Sequence, residues 1–188
     1  MDPNDDPPRV LVHRAIPTDP SVRSSNSLFI TETAGQEGKP ERRLLSSGAS
    51  PAPRTVATRM GVKPGTDLLE RRRLMLVDGV PVRLAISYFP TDAPEAGELA
   101  GDSFLPGGLQ ELFDRHGRRF QRAEETLVAR LPTPEEAQVL QIPPAEPVVE
   151  ILRTSYDDQQ SPVHTLQTIC AASRHVFPVT QAPSDTVF

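Results

Sequence analysis

The spacing of apolar residues changes along the chain, and each change predicts an element. Over residues 53–60, Val56, Ala57 and Met60 recur at helical intervals, and Gly61 stands where a left-handed residue would stop the helix. Residues 66–77 and 80–89 read as strands, and Asp78-Gly79 between them predicts a tight hairpin, because a primed turn needs positive φ at both central positions. Pro90 interrupts the second strand. Residues 92–104 read as irregular or weakly helical. Residues 108–116 form a short amphipathic helix with Leu109, Leu112 and Phe113 on one side and Gly117 at its end. Residues 120–131 alternate as a strand. A helix over 134–140 starts at Thr133, with Glu135 and Glu136 in the first turn, where the helix dipole favours carboxylates. A second hairpin follows, with arms at 147–156 and 162–172 and the polar turn 157–161. Before the first helix, residues 28–33 suit one short strand and 35–48 a polar, glycine-containing loop. Residues 1–27 read as a linker or flexible arm and 180–188 as a frayed tail, which leaves one domain over 28–179.

A shift of about 80 residues lays the first helix and hairpin onto the second. It carries Ala57 onto Ala137, Met60 onto Leu140, Val62 onto Ile142, Pro64 onto Pro144, Glu70 onto Glu150 and Arg73 onto Arg153, with one extra residue in the second turn. The predicted fold class is therefore α+β: two helix-plus-hairpin halves whose hairpins join in one mainly antiparallel sheet covered by short helices. Chance resemblance between two common units is the alternative.

Composition narrows the chemistry. The 188 residues carry 20 basic and 25 acidic side chains, so a nucleic-acid surface over the whole molecule is excluded and any DNA contact must come from elsewhere. Cys170 is the single cysteine, which rules out an intramolecular disulfide and fits a reducing, cytoplasmic setting. Its apolar strand marks it as core. No apolar run approaches the roughly 20 residues of a membrane span. No nucleophile elbow, phosphate loop or metal-ligand spacing occurs, so the expectation is a non-enzyme without cofactor or metal.

The stretch Leu69-Glu70-Arg71-Arg72-Arg73-Leu74-Met75-Leu76-Val77-Asp78-Gly79-Val80-Pro81-Val82, then Ser87-Tyr88-Phe89-Pro90, resembles the UTRA domain of GntR/HutC-family bacterial transcription regulators. Pro134-Glu135-Glu136-Ala137, Arg153-Thr154, Pro162-Val163-His164 and Ala172-Ser173-Arg174-His175-Val176-Phe177 continue the pattern in the family's order. The resemblance implies a chorismate-lyase-like fold, a homodimer, and a small-molecule effector that modulates DNA binding by a separate winged helix-turn-helix. No such DNA-binding segment is recognisable before residue 28, so the chain reads either as part of a longer regulator or as a stand-alone sensor. A ligand-free dimerisation module is the second reading, and a chorismate-lyase-like enzyme the third, because a shared fold does not decide function.

Strand alternation places Arg71 and Arg73 on one face with Leu69, Met75 and Val77, about 6.5 to 7 Å apart, while Glu70 and Arg72 point away. A guanidinium on a mainly apolar face needs a partner, and an anionic ligand is one that suits. The resemblance favours Arg73 as the ligand-gripping residue and Arg71 as the second choice; ion pairs to Glu124, Glu125 or Glu150 are the structural alternative. Ala85 stands where several family members carry a ligand-contacting Glu, which implies a different effector. Tyr88, His164, Arg122 and Arg174 complete the candidate ligand contacts, with packing or surface ion pairs as their alternatives. His164 and Gln167 lie on opposite faces by alternation, so only one of them can face a given pocket.

Overall fold

In the computed structural model of the chain, the described residues are 9–11, 38–101, 105 and 108–178. One antiparallel sheet dominates. Its strands are β2 (Pro40–Pro51), β3 (Asp67–Val77), β4 (Val80–Pro90), β5 (Arg122–Arg130), β6 (Val148–Tyr156) and β7 (Pro162–Ala171), in the order β2-β3-β4-β7-β6-β5. The helices are α1 (Arg54–Met60), α2 (Ala96–Leu99), α3 (Gly108–Arg115) and α4 (Pro134–Leu140). A separate parallel pair joins β1 (Val10–Leu11) to β8 (His175–Val176) after a 3-10 turn at Ala172–Arg174.

The strand order is a palindrome of two β-α-β-β halves, β2-α1-β3-β4 and β5-α4-β6-β7, so the duplication seen in the sequence is the plan of the fold. Three details follow it residue by residue. Both helices end on the same motif: Gly61 (φ 68) and Gln141 (φ 53) are left-handed, and Val62 and Ile142 each donate a 3.0 Å bond back to the carbonyls of Ala57 and Ala137. Both hairpins slip register at equivalent places, between Met75 and Leu76 and between Ser155 and Tyr156. Ile86 pairs with Gln167 where β4 meets β7, and these two are themselves repeat mates, which puts the pseudo-two-fold axis through that pair.

Turn and cap chemistry explains the boundaries. Asp78 (φ 51) and Gly79 (φ 78) form the primed turn, and Asp78 accepts a bond from the Lys39 amide at 2.8 Å. Thr133 and Glu136 close a reciprocal capping box at the start of α4, whereas α1 starts at Pro53 with no side-chain cap.

Helices α1 and α4 cover one face. Each packs against the other half's inner hairpin strand, α1 on β7 and α4 on β4, and together they bury Leu74, Leu84, Ile86, Leu152 and Ile169. On the opposite face the described residues form two packed groups, one at each end. At one end α2 and α3 place Leu99, Leu109, Leu112 and Phe113 over Leu69, Phe89 and Val163. At the other, Val10 and Phe177 sit on Met75, Val77, Val82 and Ala85.

Two expectations need correction. The loop predicted over 35–48 is largely strand β2, because its pairing comes from β3 and not from its own pattern, and the bulge between Leu44 and Ser46 breaks the alternation that would have revealed it. The arm predicted over 1–27 contributes Val10–Leu11 to a strand pair. The strand predicted at 28–33 lies outside the described residues.

Candidate functional site

The middle of the second face lies between those two caps, and the register assembles it from both halves. One cross-strand row reads Leu44, Arg73, Ala85, Thr168, Ile151, Leu127; the next reads Ser47, Arg71, Ser87, Leu166, Arg153, Glu125. Phe89 and His164 lie beyond these rows toward α2 and α3.

Arg71, Arg73 and His164 are all buried here. Arg73 Nη2 donates to Ser87 Oγ at 2.9 Å. Burial, with Arg71 and Arg42 as cationic neighbours, lowers the Arg73 guanidinium to about 10. Arg71 Nη1 donates to the carbonyls of Leu99 and Gly101, the latter at 2.6 Å, and so ties the end of α2 to the sheet. His164 stacks on Phe89 with ring centroids 4.6 Å apart, and Phe120 lies 6.5 Å away. Its Nε2 is buried with no hydrogen-bond partner. Burial above all, then the positive charges of Arg73 and Arg153, pushes His164 down to about 3, so the ring is neutral near pH 7. A face of this kind repels cations and offers an anion charge-assisted bonds from guanidinium groups in a low dielectric.

Of the six candidates, Arg71, Arg73 and His164 come together here and three do not. Tyr88 lies on the helix-covered face beside Glu70, and the reason is the bulge at Val82, which slips β4 by one residue against β3 and turns Tyr88 to the other side. Arg122 is exposed at the sheet corner, its guanidinium 4.2 Å from the Tyr156 ring and paired with Glu124. Arg174 donates to the carbonyls of Pro81, Leu140 and Gln141, which satisfies the C-terminus of α4. Sequence reasoning missed Ser87, Phe89 and Phe120. Ser87 stands in the quoted Ser-Tyr-x-Pro run, but its face depends on a bulge that no local signal announces. Among the described residues no group of three His, Cys, Asp or Glu side chains is placed to hold a metal. Nor is any helix among them long and apolar enough to cross a membrane.

Comparison with known proteins agrees with this architecture. The UTRA domain family model matches residues 35–176. An HTH-type transcriptional regulator of Rhizobium meliloti is 33% identical over 132 residues, which is 70% of this chain and 53% of that protein. The Escherichia coli regulator GgaR is 25% identical over 139 residues, 74% of this chain and 54% of its own length. The chain thus spans about half the length of these curated relatives. Among solved structures, PhnF from Mycobacterium smegmatis superposes with a TM-score of 0.72 at 20% identity, covering 94% of this chain and 73% of that one. The ligand-binding domain of a GntR-family regulator from Bordetella bronchiseptica gives 0.63 at 24% identity, covering 77% and 90%. The curated relatives are HTH-type transcriptional regulators, and the chain belongs to the UTRA domain family.

Proposed function

We propose that the chain binds a small anionic effector at the middle of this sheet face, between the two packed ends, as a homodimer, and that occupancy sets the DNA affinity of a winged helix-turn-helix elsewhere in the regulator. The observation that carries this reading is the convergence of buried Arg73 and His164 from different halves of the fold, with the Nε2 of His164 unmet. A buried polar atom without a partner is costly, and a ligand oxygen or hydroxyl would satisfy it. Arg73 grips the anion, Ser87 orients Arg73, and Arg71 holds the α2 cap over the ligand. Ala85, directly across from Arg73, leaves no carboxylate at that position to bind amino or hydroxyl groups.

The route outward is short. Ala85 belongs to the cluster that seats Val10 of β1, so a ligand that shifts Ala85 disturbs the strand through which the chain continues toward its N-terminus. An effector can move this equilibrium only by its difference in affinity for the two arrangements. A thermal-shift screen against phosphosugars, small carboxylic acids and natural-product intermediates identifies the ligand, and calorimetry on Arg73→Ala tests the site. Binding should fall at least tenfold while the fold is retained. Unchanged binding refutes the pocket, and pyruvate release from chorismate would refute the sensor reading.

A further inference from the structure

The effector face holds a buried histidine stacked on a phenylalanine with arginines nearby, and the other end of the same face holds a second group of this kind. His175 is 7% exposed and stacks on Phe177, with ring centroids 6.1 Å apart and the planes 16° from parallel. Arg83 is buried on the same face, opposite Cys170 in the register, and the next residue of β7, Ala171, offers its carbonyl to the His175 ring. Val10, Met75, Val77 and Val82 supply apolar walls. His175 is also the register partner of Val10, which places the group beside β1.

The contacts of His175 fix its tautomer. Nδ1 lies 2.9 Å from the Ala171 carbonyl oxygen, which can only accept, so Nδ1 carries the proton. Burial above all, then the charges of Arg83 and Arg174, pushes the ring down to about 3 against the opposing pull of the Ala171 bond, so it is neutral near pH 7. Nε2 therefore presents a lone pair, and it is buried with no hydrogen-bond partner. Such an acceptor selects its ligand narrowly. Cations, metal ions included, are opposed by Arg83 and Arg174, and an oxyanion with no proton sets lone pair against lone pair. An oxyanion that also bears a hydroxyl meets both demands: the hydroxyl donates to Nε2 and the negative charge faces Arg83.

We infer that the Arg83–His175 end is a second binding site, for a small oxyanion that bears a hydroxyl, a hydrogen phosphate or a 2-hydroxycarboxylate. It goes beyond the effector site and does not depend on it. Six residues of β4, roughly 20 Å, separate Arg83 from Phe89, on which His164 stacks, so the two ends bind independently. Strand β1 is two residues long and meets β8 at two positions, so local opening there costs little and admits the ligand.

Histidine side-chain NMR on the full chain tests the site at single-residue resolution. The ligand-free spectrum should show the His175 proton on Nδ1, and titration with phosphate or glycolate at pH 7 should move its Nε2 resonance upfield as that nitrogen accepts a hydrogen bond. Sulfate and acetate, close in shape but without a hydroxyl, should leave it in place. A response to phosphate alone or to glycolate alone identifies which of the two classes the site takes. Arg83→Met keeps the apolar stem and loses the charge, so the dissociation constant read at His175 should rise at least tenfold. The wild-type titrations decide the case even if Arg83→Met fails to fold. An Nε2 resonance that none of the four ions moves overturns the site, and equal movement with sulfate or acetate overturns the hydroxyl-bearing ligand. His164, followed in the same spectra, reports the effector face separately, so either reading can fail alone.

Discussion

Acidification from pH 6.5 to 5 should destabilise this domain through two histidines that play no part in its surface charge. His164 and His175 are both buried and both held at about 3, from an ordinary value of 6.5. Burial is the main cause in each; Arg73 and Arg153 add to it at His164, and Arg83 at His175. With folded values below the unfolded one, the unfolded chain binds more protons throughout that window, so stability is complete above pH 6.5 and falls as the pH drops toward 3. Each histidine then loses about 1.4 kcal/mol per pH unit, or about 2 kcal/mol between pH 6.5 and 5, and the pair loses about 4 kcal/mol. That is a large part of a total stability of roughly 5 to 15 kcal/mol. The carboxylates with resolved shifts, Glu98, Glu124 and Glu136, are all lowered, so their losses come below the ordinary glutamate range and leave the window clear. Urea unfolding at intervals from pH 7.5 to 5 measures the slope. The double variant His164→Gln, His175→Asn removes both titrations. Its new amide at position 175 can still donate to the Ala171 carbonyl, which His175 Nδ1 meets at 2.9 Å, so the slope should flatten with the contact kept. Equal slopes in the two proteins would refute the reasoning.

Other outcomes follow from the same contacts. An anion bound beside His164 favours the imidazolium, so effector affinity should rise as the pH falls toward the folded value of about 3 and calorimetry should detect proton uptake there; pH-independent binding would place the anion elsewhere. Gly61→Gln should cost about 1 kcal/mol for backbone reasons alone, since a Cβ there meets nothing within 4 Å, and Gln141→Gly should gain roughly 0.5 to 1 kcal/mol, both read from denaturant midpoints. Arg130 holds both oxygens of Glu136, at 2.7 and 2.8 Å, and Glu150 at 2.5 Å; Arg130→Met should lower stability by about 1 to 2 kcal/mol, a figure reduced because the guanidinium is partly exposed. Arg71→Ala should speed hydrogen exchange around Leu99 and Gly101 with little change in the exchange of β6 and β7.

What can be read from the sequence is what local chemistry enforces. Thr133, Gly61 and Asp78-Gly79 act on their immediate neighbours, and those helix ends and that turn lie where predicted. Arg71 and Arg73 share a face because alternation along one strand needs no knowledge of its partners. Errors begin where a residue's position depends on a distant one. Extending alternation through the tight turn puts Tyr88 on the wrong face, because one extra residue at Val82 reverses every side chain after it. Strand β2 has no apolar rhythm, so only β3 beside it makes it a strand. Arg174 is cationic in composition but a cap in space, and its carbonyl partners lie 33, 34 and 93 residues away.

Duplication supplies two equivalent ends to the second face, and insertions make them different. His164 is the repeat mate of Arg83, and Val163 of Val82, so a polar buried residue beside a valine occurs at both ends. After β4 the chain inserts α2 and α3, which arch over His164 and bring the Leu99 and Gly101 carbonyls to Arg71. After β7 the described residues make a 3-10 turn and a two-residue strand, which lay His175 and Phe177 with Val10 against the Arg83 end. One end is therefore roofed by an insertion of its own, while β1 and β8 pack at the other. A ligand entering under α2 and α3 would press on a sheet whose far end holds β1, and a symmetric arrangement, with both ends roofed alike, would leave no place for β1 to respond.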